Sequence, residues 1–430
     1  MRVVFDASIL GRAQFLPIAR SGIFRYADNL LQALAASGQC RLSLTSFGYS
    51  LDAAGISDYL VGRDSLRDST TILNPVIQFI GNSLRMGLRT SGKNSSEMAV
   101  DSGLLRKAHQ LGDGLLASLQ QSFRPILANR LNGAHIFHTP FLHTPPVLRT
   151  IPHLQRFVTV HDLNPIAHPE HFPPVVNRWS RKVMENIGRD DWVITVSQFV
   201  KDDLCDRYGV KPDRIRVTPL AAESSLFHPC HDTQRFSRVR QRYGIPDGRY
   251  ILSLGSLSPH KNIGHLVKCF AKLIRQEHIP DLNLVLAGTQ GWMLDSLQET
   301  LATMGNLAHR IIRTGFVHDQ DQSALYAGAT AFAFPSLCEG FGLPPLEAMQ
   351  CGTPVICTNA TSIPEVVGTA GILVDPLDDD ALCQAILDMY RNESLRKQFV
   401  SRGLERARQF SWERCAQGTL DAYRVAQATG

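Results

Sequence analysis

The sequence predicts an α/β protein built from two doubly wound units, and three observations predict it. Short apolar runs rich in Val, Ile, Leu and Phe, of a length suited to buried parallel strands, alternate along the chain with stretches of helical period. The plan of strand, glycine-bearing loop and helix opens twice, once after the run from Val3 to Phe5 and again after the run from Tyr250 to Leu254. At 430 residues the chain has room for two domains, each burying a core of its own.

Composition sets the outer limits. Charged residues make up 19% and hydrophobic residues 44%, the balance of a soluble globular chain. The formal net charge of +5 permits attraction to anionic lipid or phosphate, but no block of Lys and Arg is dense enough for a nucleic-acid footprint, so no nucleic-acid partner is expected. The nine cysteines are scattered, odd in number and without a C-x-x-C pair, which suits free thiols in a reducing compartment better than disulfides or zinc. Met1-Arg-Val-Val-Phe-Asp6 runs straight into a strand and lacks the apolar core of a signal peptide, and no segment has the apolar length to span a bilayer. The expectation is a cytoplasmic protein, with peripheral contact to the inner face of the cytoplasmic membrane left open.

The first domain is placed at residues 1–228. Its opening strand, Val3 to Phe5, leads into a long loop from Asp6 to about Arg20. Ser21-Gly22 then starts an amphipathic helix in which Ile23, Tyr26, Leu30 and Leu34 recur at spacings of three and four. Residues from about 50 to 130 form an insert, helix-like where Ile77, Phe79, Ile80 and Leu84 recur and polar around Gly92-Lys-Asn-Ser-Ser96. Two readings stand for it: a helical piece docked on the domain, or a basic amphipathic patch, through Arg85, Arg89 and Lys93, that lies on an anionic membrane surface.

Strands return at Ala134 to Phe137 and at Phe157 to Val160, the second followed at once by His161-Asp162. Polar residues at the carboxyl end of a parallel strand sit where open α/β sheets bind ligands, so His161 is a site candidate; the other reading is a hydrogen-bonded turn residue. Pro174 to Gly188 reads as a helix, Trp192 to Val196 as a strand, Ser197 as the N-cap of a helix through Tyr208, and Arg214 to Val217 as the last strand.

Residues 229–247, polar with a helical pattern around Arg235 to Tyr243, are the interdomain connection. The second domain, 248–410, opens on Tyr250 to Leu254, followed by Gly255-Ser256-Leu-Ser-Pro-His260-Lys261-Asn262 and a helix marked by Ile263, Leu266, Val267, Phe270 and Ile274. Lys261 delivers a point charge to a phosphate at that helix start, and His260 assists if protonated; a plain surface lysine is the alternative. Leu282 to Ala287 and Ile311 to Arg313 read as further strands, the latter ending in Thr314-Gly-Phe316-Val317-His318. Helices begin at Asp379 and near Glu393, and Ser411-Trp412 starts a last one, 411–430. Asp378-Asp-Asp380 is read as serving a helix N-terminus, not a metal.

One stretch organises the second domain: Pro335-Ser-Leu-Cys-Glu339-Gly340-Phe341-Gly342-Leu343-Pro-Pro-Leu-Glu347-Ala-Met-Gln-Cys-Gly352-Thr-Pro354. Strands at Ala329 to Phe334 and Val355 to Cys357 flank it, Pro344 and Pro345 suit a first helical turn, and Gly352 with Pro354 ends the helix. Glu339 falls in the loop and Glu347 in the helix. The glycines let backbone approach a ligand, and unpaired N–H groups at the helix start favour an anionic oxygen such as a diphosphate. A carboxylate accepts hydrogen bonds in pairs, so one acid can hold ribose hydroxyls and the other those of a sugar; the alternative is that both acids merely cap or salt-bridge the loop.

Seven residues separate Glu339 from Glu347, and this pattern resembles the signature of the large family of retaining GT-B glycosyltransferases that use nucleotide-sugar donors. The resemblance covers nearly all the chain outside the insert. It implies two Rossmann-like domains facing across a cleft, with the last helix crossing back to the first domain. It further implies a donor site with Glu339 on the sugar, Glu347 on the ribose, His161 on a sugar hydroxyl, and Lys261 with Ser256, Gly340, Phe341, Gly342 and Leu343 near the diphosphate. Gly22 then lines the cleft, and Phe316 and Val317 frame the base. A serine at position 256 departs from the commoner arginine and throws more of the phosphate charge on Lys261.

The variant Pro259-His-Lys-Asn262 resembles members that act on O-antigen or exopolysaccharide mannose chains, which favours a GDP-sugar, GDP-mannose above all, over a UDP-sugar. The family pattern implies no metal and no cofactor beyond this co-substrate, and a saccharide or lipid-linked saccharide as acceptor. Rival readings are a nucleotide-sugar epimerase of the same architecture, whose acid and base residues find no match here, and a non-catalytic nucleotide-sugar-binding scaffold.

Overall fold

The computed structural model describes residues 1–15, 22–46, 50–73, 131 and 133–429. It holds two parallel sheets. The first has the order β3-β2-β1-β4-β5-β6-β7, from β1 (Arg2–Asp6), β2 (Arg41–Thr45), β3 (Thr70–Ile72), β4 (Ile136–Thr139), β5 (Gln155–Val160), β6 (Trp192–Thr195) and β7 (Ile215–Val217). The second runs β10-β9-β8-β11-β12-β13, from β8 (Arg249–Leu254), β9 (Leu282–Ala287), β10 (Ile311–Gly315), β11 (Ala331–Phe334), β12 (Val355–Thr358) and β13 (Ile372–Val374). Strands such as β9 and β11 are buried along their whole length because helices cover both faces.

Chain order reverses between β1 and β4 in one sheet and between β8 and β11 in the other. Loops leaving adjacent strands at such a switch point part to opposite faces and open a crevice at the carboxyl ends. In the second sheet those two loops are the ones carrying Lys261 and Glu339. This is the architecture expected: two Rossmann-like domains facing across a cleft.

The last helix, Trp412–Thr429, leaves the second domain and packs against the helix Gly22–Ala36 and strands β5 and β7 of the first. Its Tyr423 is fully buried there, with Oη 2.6 Å from His138 Nδ1 and its ring edge-on to Phe157. The segment Thr233–Tyr243 of the connection is helical and docks on the second domain, where Arg242 and Tyr243 both donate to Asp321.

Three details differ from the sequence reading. The loop after β1 is not open throughout, since Ser8–Arg12 is already helical, closed against the helix Ser50–Leu60. The start of the insert belongs to the domain itself: Ala53, Ile56 and Tyr59 are buried, and β3 pairs with β2 as an edge strand. The strand read as ending at Phe137 continues through His138 and Thr139. The basic segment with Arg85, Arg89 and Lys93 lies outside the described residues. Among the described residues, no helix is long and apolar enough to cross a membrane.

Candidate active site

Two loops and one helix of the second domain build the site floor. After β8 the chain makes a tight turn, Pro259–Lys261, and Asn262 takes a left-handed conformation (φ 56°) to enter the helix Ile263–Glu277. Its side chain is anchored, Nδ2 donating to the Pro376 carbonyl at 2.8 Å. Lys261 is thereby held at the helix start, 15% exposed, with its Nζ 5.0 Å from the centre of the Phe334 ring.

After β11 comes the loop to the helix Leu343–Gln350. Thr361 Oγ1 accepts from the Glu339 N–H at 3.0 Å, and Ser362 Oγ donates to the carbonyls of Glu339 and Phe341, both at 3.0 Å. Pinned in this way, Glu339 meets Lys261, whose Nζ donates to Oε1 at 2.5 Å. Leu343 is half-buried at the helix start, and a Cβ on Gly22 would lie 3.9 Å from its Cδ1, so Gly22 faces the signature across the cleft. Ser256 stands in the same wall, its Oγ accepting from Ser258 at 3.1 Å.

Glu347 lies in the helix, as the sequence places it, and is buried. It is 4% exposed, with Oε1 accepting from Arg25 Nη1 at 2.9 Å and Oε2 from the Tyr326 hydroxyl at 3.0 Å. Burial pushes its pKa up and Arg25 pulls it back. Each carboxylate oxygen keeps a further lone pair for a hydroxyl.

His161 comes to the site from the first domain. Its Nε2 lies 2.8 Å from the Pro140 carbonyl, which only accepts, so the proton sits on Nε2 and Nδ1 is left as an acceptor. Burial pushes its pKa down to about 4, so the ring is neutral. Tyr26 packs edge-on against it at 4.8 Å. Next to it Asp162, whose carboxyl is pushed up to about 6 by burial and by Glu339, accepts from the Asn164 N–H.

Gly340 explains why the first domain comes so near: a Cβ there would stand 1.9 Å from the His161 carbonyl oxygen. This glycine is required for the apposition of the two domains. Gly342 holds φ at 117°, a conformation that side chains rarely allow, and faces the Cδ1 of Ile363. Further ties cross the cleft. Ser197 Oγ donates to the Gly340 carbonyl at 2.7 Å, Glu365 accepts from the N–H groups of Gln198 and Phe199 at 2.8 and 2.6 Å, and Trp292 Nε1 donates to the His171 carbonyl at 2.8 Å.

Three further candidates, His260, Val317 and Phe341, are buried. His260 is no cation in waiting: burial pushes its pKa down to about 4, and its ring packs in a triangle with Phe172 and Trp292, with centres 4.9 and 5.8 Å away. Val317 is buried in the core at 3% exposure, whereas Phe316 is 61% exposed. Phe341 is likewise a packing residue, edge-on to Phe410. Sequence reasoning missed Arg25, Tyr326 and Asp162. Only Asp162 carried a signal, its place beside His161 after β5.

Asp378 caps the helix Asp379–Arg391, accepting from Ala381 N–H at 2.9 Å, and Asp380 pairs with Lys272. One metal-capable group does occur among the described residues: ligand atoms of His265, Cys269 and Asp379 lie within 4.8 Å of one another. His265 Nδ1 and Asp379 Oδ1 there form their own ion pair at 3.1 Å.

Comparison with known proteins agrees with this architecture. The family model described as "Glycosyl transferases group 1" matches residues 236–406, and that described as "Glycosyltransferase Family 4" matches residues 106–223. O-antigen chain mannosyltransferase B of Escherichia coli is 38% identical over 294 residues, 68% of this chain and 74% of that protein. The serotype-specific mannosyltransferase WbdA of Escherichia coli is 29% identical over 268 residues, 61% of this chain but 32% of that longer protein. Among solved structures, sucrose-phosphate synthase from Thermosynechococcus elongatus superposes with a TM-score of 0.67 at 21% identity, over 100% of both chains. WaaG, a glycosyltransferase involved in lipopolysaccharide biosynthesis, does so with 0.63 at 14% identity, over 98% of this chain and 99% of its own. With the signature in place between the switch-point loops and a relative of this identity and coverage, the chain belongs to the group 1 glycosyltransferases and is a GT-B transferase.

Proposed function

We propose that the chain transfers a mannosyl residue from GDP-mannose to a saccharide acceptor, free or lipid-linked, with retention of configuration and without a metal, in the synthesis of a surface polysaccharide. The observation that carries this reading is the contact between Lys261 and Glu339 at 2.5 Å. In a nucleotide sugar the β-phosphate and the hexose are one glycosidic bond apart, so a phosphate-binding cation and a hydroxyl-binding carboxylate belong side by side. The name of the O-antigen relative supports mannose as the sugar.

In this reading Lys261 and the N–H groups opening its helix stabilise the charge that grows on the leaving diphosphate, the main catalytic term. Glu339 holds the hexose, neutral His161 accepts from one of its hydroxyls, and Glu347 holds the ribose. The acceptor oxygen bonds to the anomeric carbon on the face that the diphosphate leaves, and the diphosphate oxygen takes the acceptor's proton. An acceptor on a lipid carrier brings the chain to an anionic membrane surface, where the basic segment around Arg85 contributes attraction.

The test is to incubate the purified chain with labelled GDP-mannose, with and without EDTA, and to compare thermal stabilisation by GDP, UDP and ADP. The expected result is stronger stabilisation by GDP and transfer that survives the chelator. Stronger stabilisation by UDP would replace the donor, activity restored only by manganese or magnesium would replace the metal-free mechanism, and epimerised donor without transfer would replace the reaction.

A further inference from the structure

We propose that Arg25 is a positioning residue of the donor site, a cross-cleft cation that holds Glu347 as an oriented carboxylate and so makes donor binding depend on apposition of the two domains. The inference rests on the reading that Glu347 meets hydroxyls of the donor.

Arg25 belongs to the first turn of the helix Gly22–Ala36 in the first domain, yet its polar partners are in the second. Nη1 donates to Glu347 Oε1 at 2.9 Å, and Nη2 to Asp319 Oδ1 at 2.8 Å and to Gln322 Oε1 at 3.4 Å. Below the guanidinium, at 5.5 Å, lies the ring of Phe227, where the chain passes between the domains. Planar donors in a fixed fork set the carboxylate plane as well as its charge.

The next residue makes the geometry functional. Tyr26 packs edge-on against His161 at 4.8 Å and is fixed by Thr159, Oη to Oγ1 2.8 Å. Consecutive residues of one helical turn thus touch both the acid expected on the ribose and the histidine expected on the hexose. A shift of this helix moves both ends of the donor site together.

Charge explains what is lost without the contact. The titratable groups around Glu347 are Arg25 from the first domain, Asp319 and Tyr326 from the helix Asp319–Ala327, and Cys351 just past its own helix. Arg25 is the cation among them. Burial favours the protonated acid, Asp319 adds to this, and Arg25 opposes both. A protonated Glu347 loses acceptor capacity that a pair of ribose hydroxyls needs.

The experiment uses the full chain as Arg25→Met, Arg25→Lys, Glu347→Gln and the Arg25→Met/Glu347→Gln double variant, with kcat and KM for the nucleotide sugar measured from about pH 6 to about pH 9. Arg25→Met is expected to raise donor KM about tenfold at neutral pH, with the deficit narrowing as pH rises, and Arg25→Lys to recover part of it. Glu347→Gln should show a deficit that does not narrow with pH, and the double variant should be no worse than Glu347→Gln alone. A donor KM and pH profile unchanged in both Arg25 variants would overturn the proposal. So would deficits that are uniform across pH and multiply in the double variant, the mark of a merely structural contact. If Arg25→Met does not fold, Arg25→Lys decides by the same criteria. A wild-type chain that binds no nucleoside diphosphate would instead remove the donor reading on which the proposal stands.

Discussion

Single residues at this site are governed by what burial does to charge. Glu347 receives Arg25 on one oxygen and Tyr326 on the other, so Glu347→Ala leaves a fully buried phenol without its acceptor and a guanidinium short of a partner. Removing one side of such a pair costs about 3 kcal/mol of stability, read as a lower denaturant midpoint; a midpoint equal to wild type would mean that the pair does not hold the fold. Asp162 shows the opposite sign. The folded chain keeps its proton up to about pH 6 while the unfolded carboxyl releases it near 3.8, so stability falls as pH rises through that window and is level above it. Asp162→Asn, which can still accept from Asn164, should therefore gain up to about 3 kcal/mol on wild type between about pH 4 and about pH 7.5. A difference between the two proteins that stays constant with pH would refute the assignment.

At the level of elements, strands and helices were legible wherever an apolar run or a 3.6-residue period was unbroken. The helix starts at Asp379 and Glu393 and the N-cap at Ser197, whose Oγ accepts from Val200 N–H at 3.2 Å, stand where the sequence places them. Edge strand β3 was not legible because it is three residues long, two of them threonine, and pairs with β2 across a stretch that looks like an insert. The signature loop was legible as a motif, but not its supports: Arg25 is 322 residues from Glu347 and looks like any solvated arginine of an amphipathic helix. Gly340 was legible as a necessity whose cause lay in the other domain. Gly340→Ala places a methyl group against the His161 backbone carbonyl, which has no flexible end to yield, at a cost of about 1–3 kcal/mol or more in the closed form. The expected result is a larger radius of gyration in solution scattering and weaker donor binding, with both domains folded. An unchanged scattering profile together with wild-type donor affinity would show that the domains are not apposed through this glycine.

The molecule as a whole is tied together by its last helix more than by the linker. Trp412, Cys415, Ala416, Thr419, Leu420, Ala422, Tyr423 and Ala426 of Trp412–Thr429 are buried, and they complete the core of the first domain although the chain reaches it only after building the second. Tyr423 is the sharpest dependence. His138 sits fully buried on β4 between Tyr423 Oη on Nδ1 and Thr159 Oγ1 on Nε2 at 2.8 Å, and burial pushes its pKa down to about 3, so without the phenol it cannot recover a partner by taking a proton near neutral pH. On one face of its sheet the second domain has a separate cluster around Phe270, Leu284 and Ile386 that does not involve this helix. Truncation after Phe410 should therefore split a single thermal transition into two, the first domain melting early and the second near its original temperature, as calorimetry would record. A peptide spanning 411–429, added in excess, should raise the early transition by mass action. One undivided transition at the wild-type temperature in the truncated chain would show that the first domain closes its core without the returning helix.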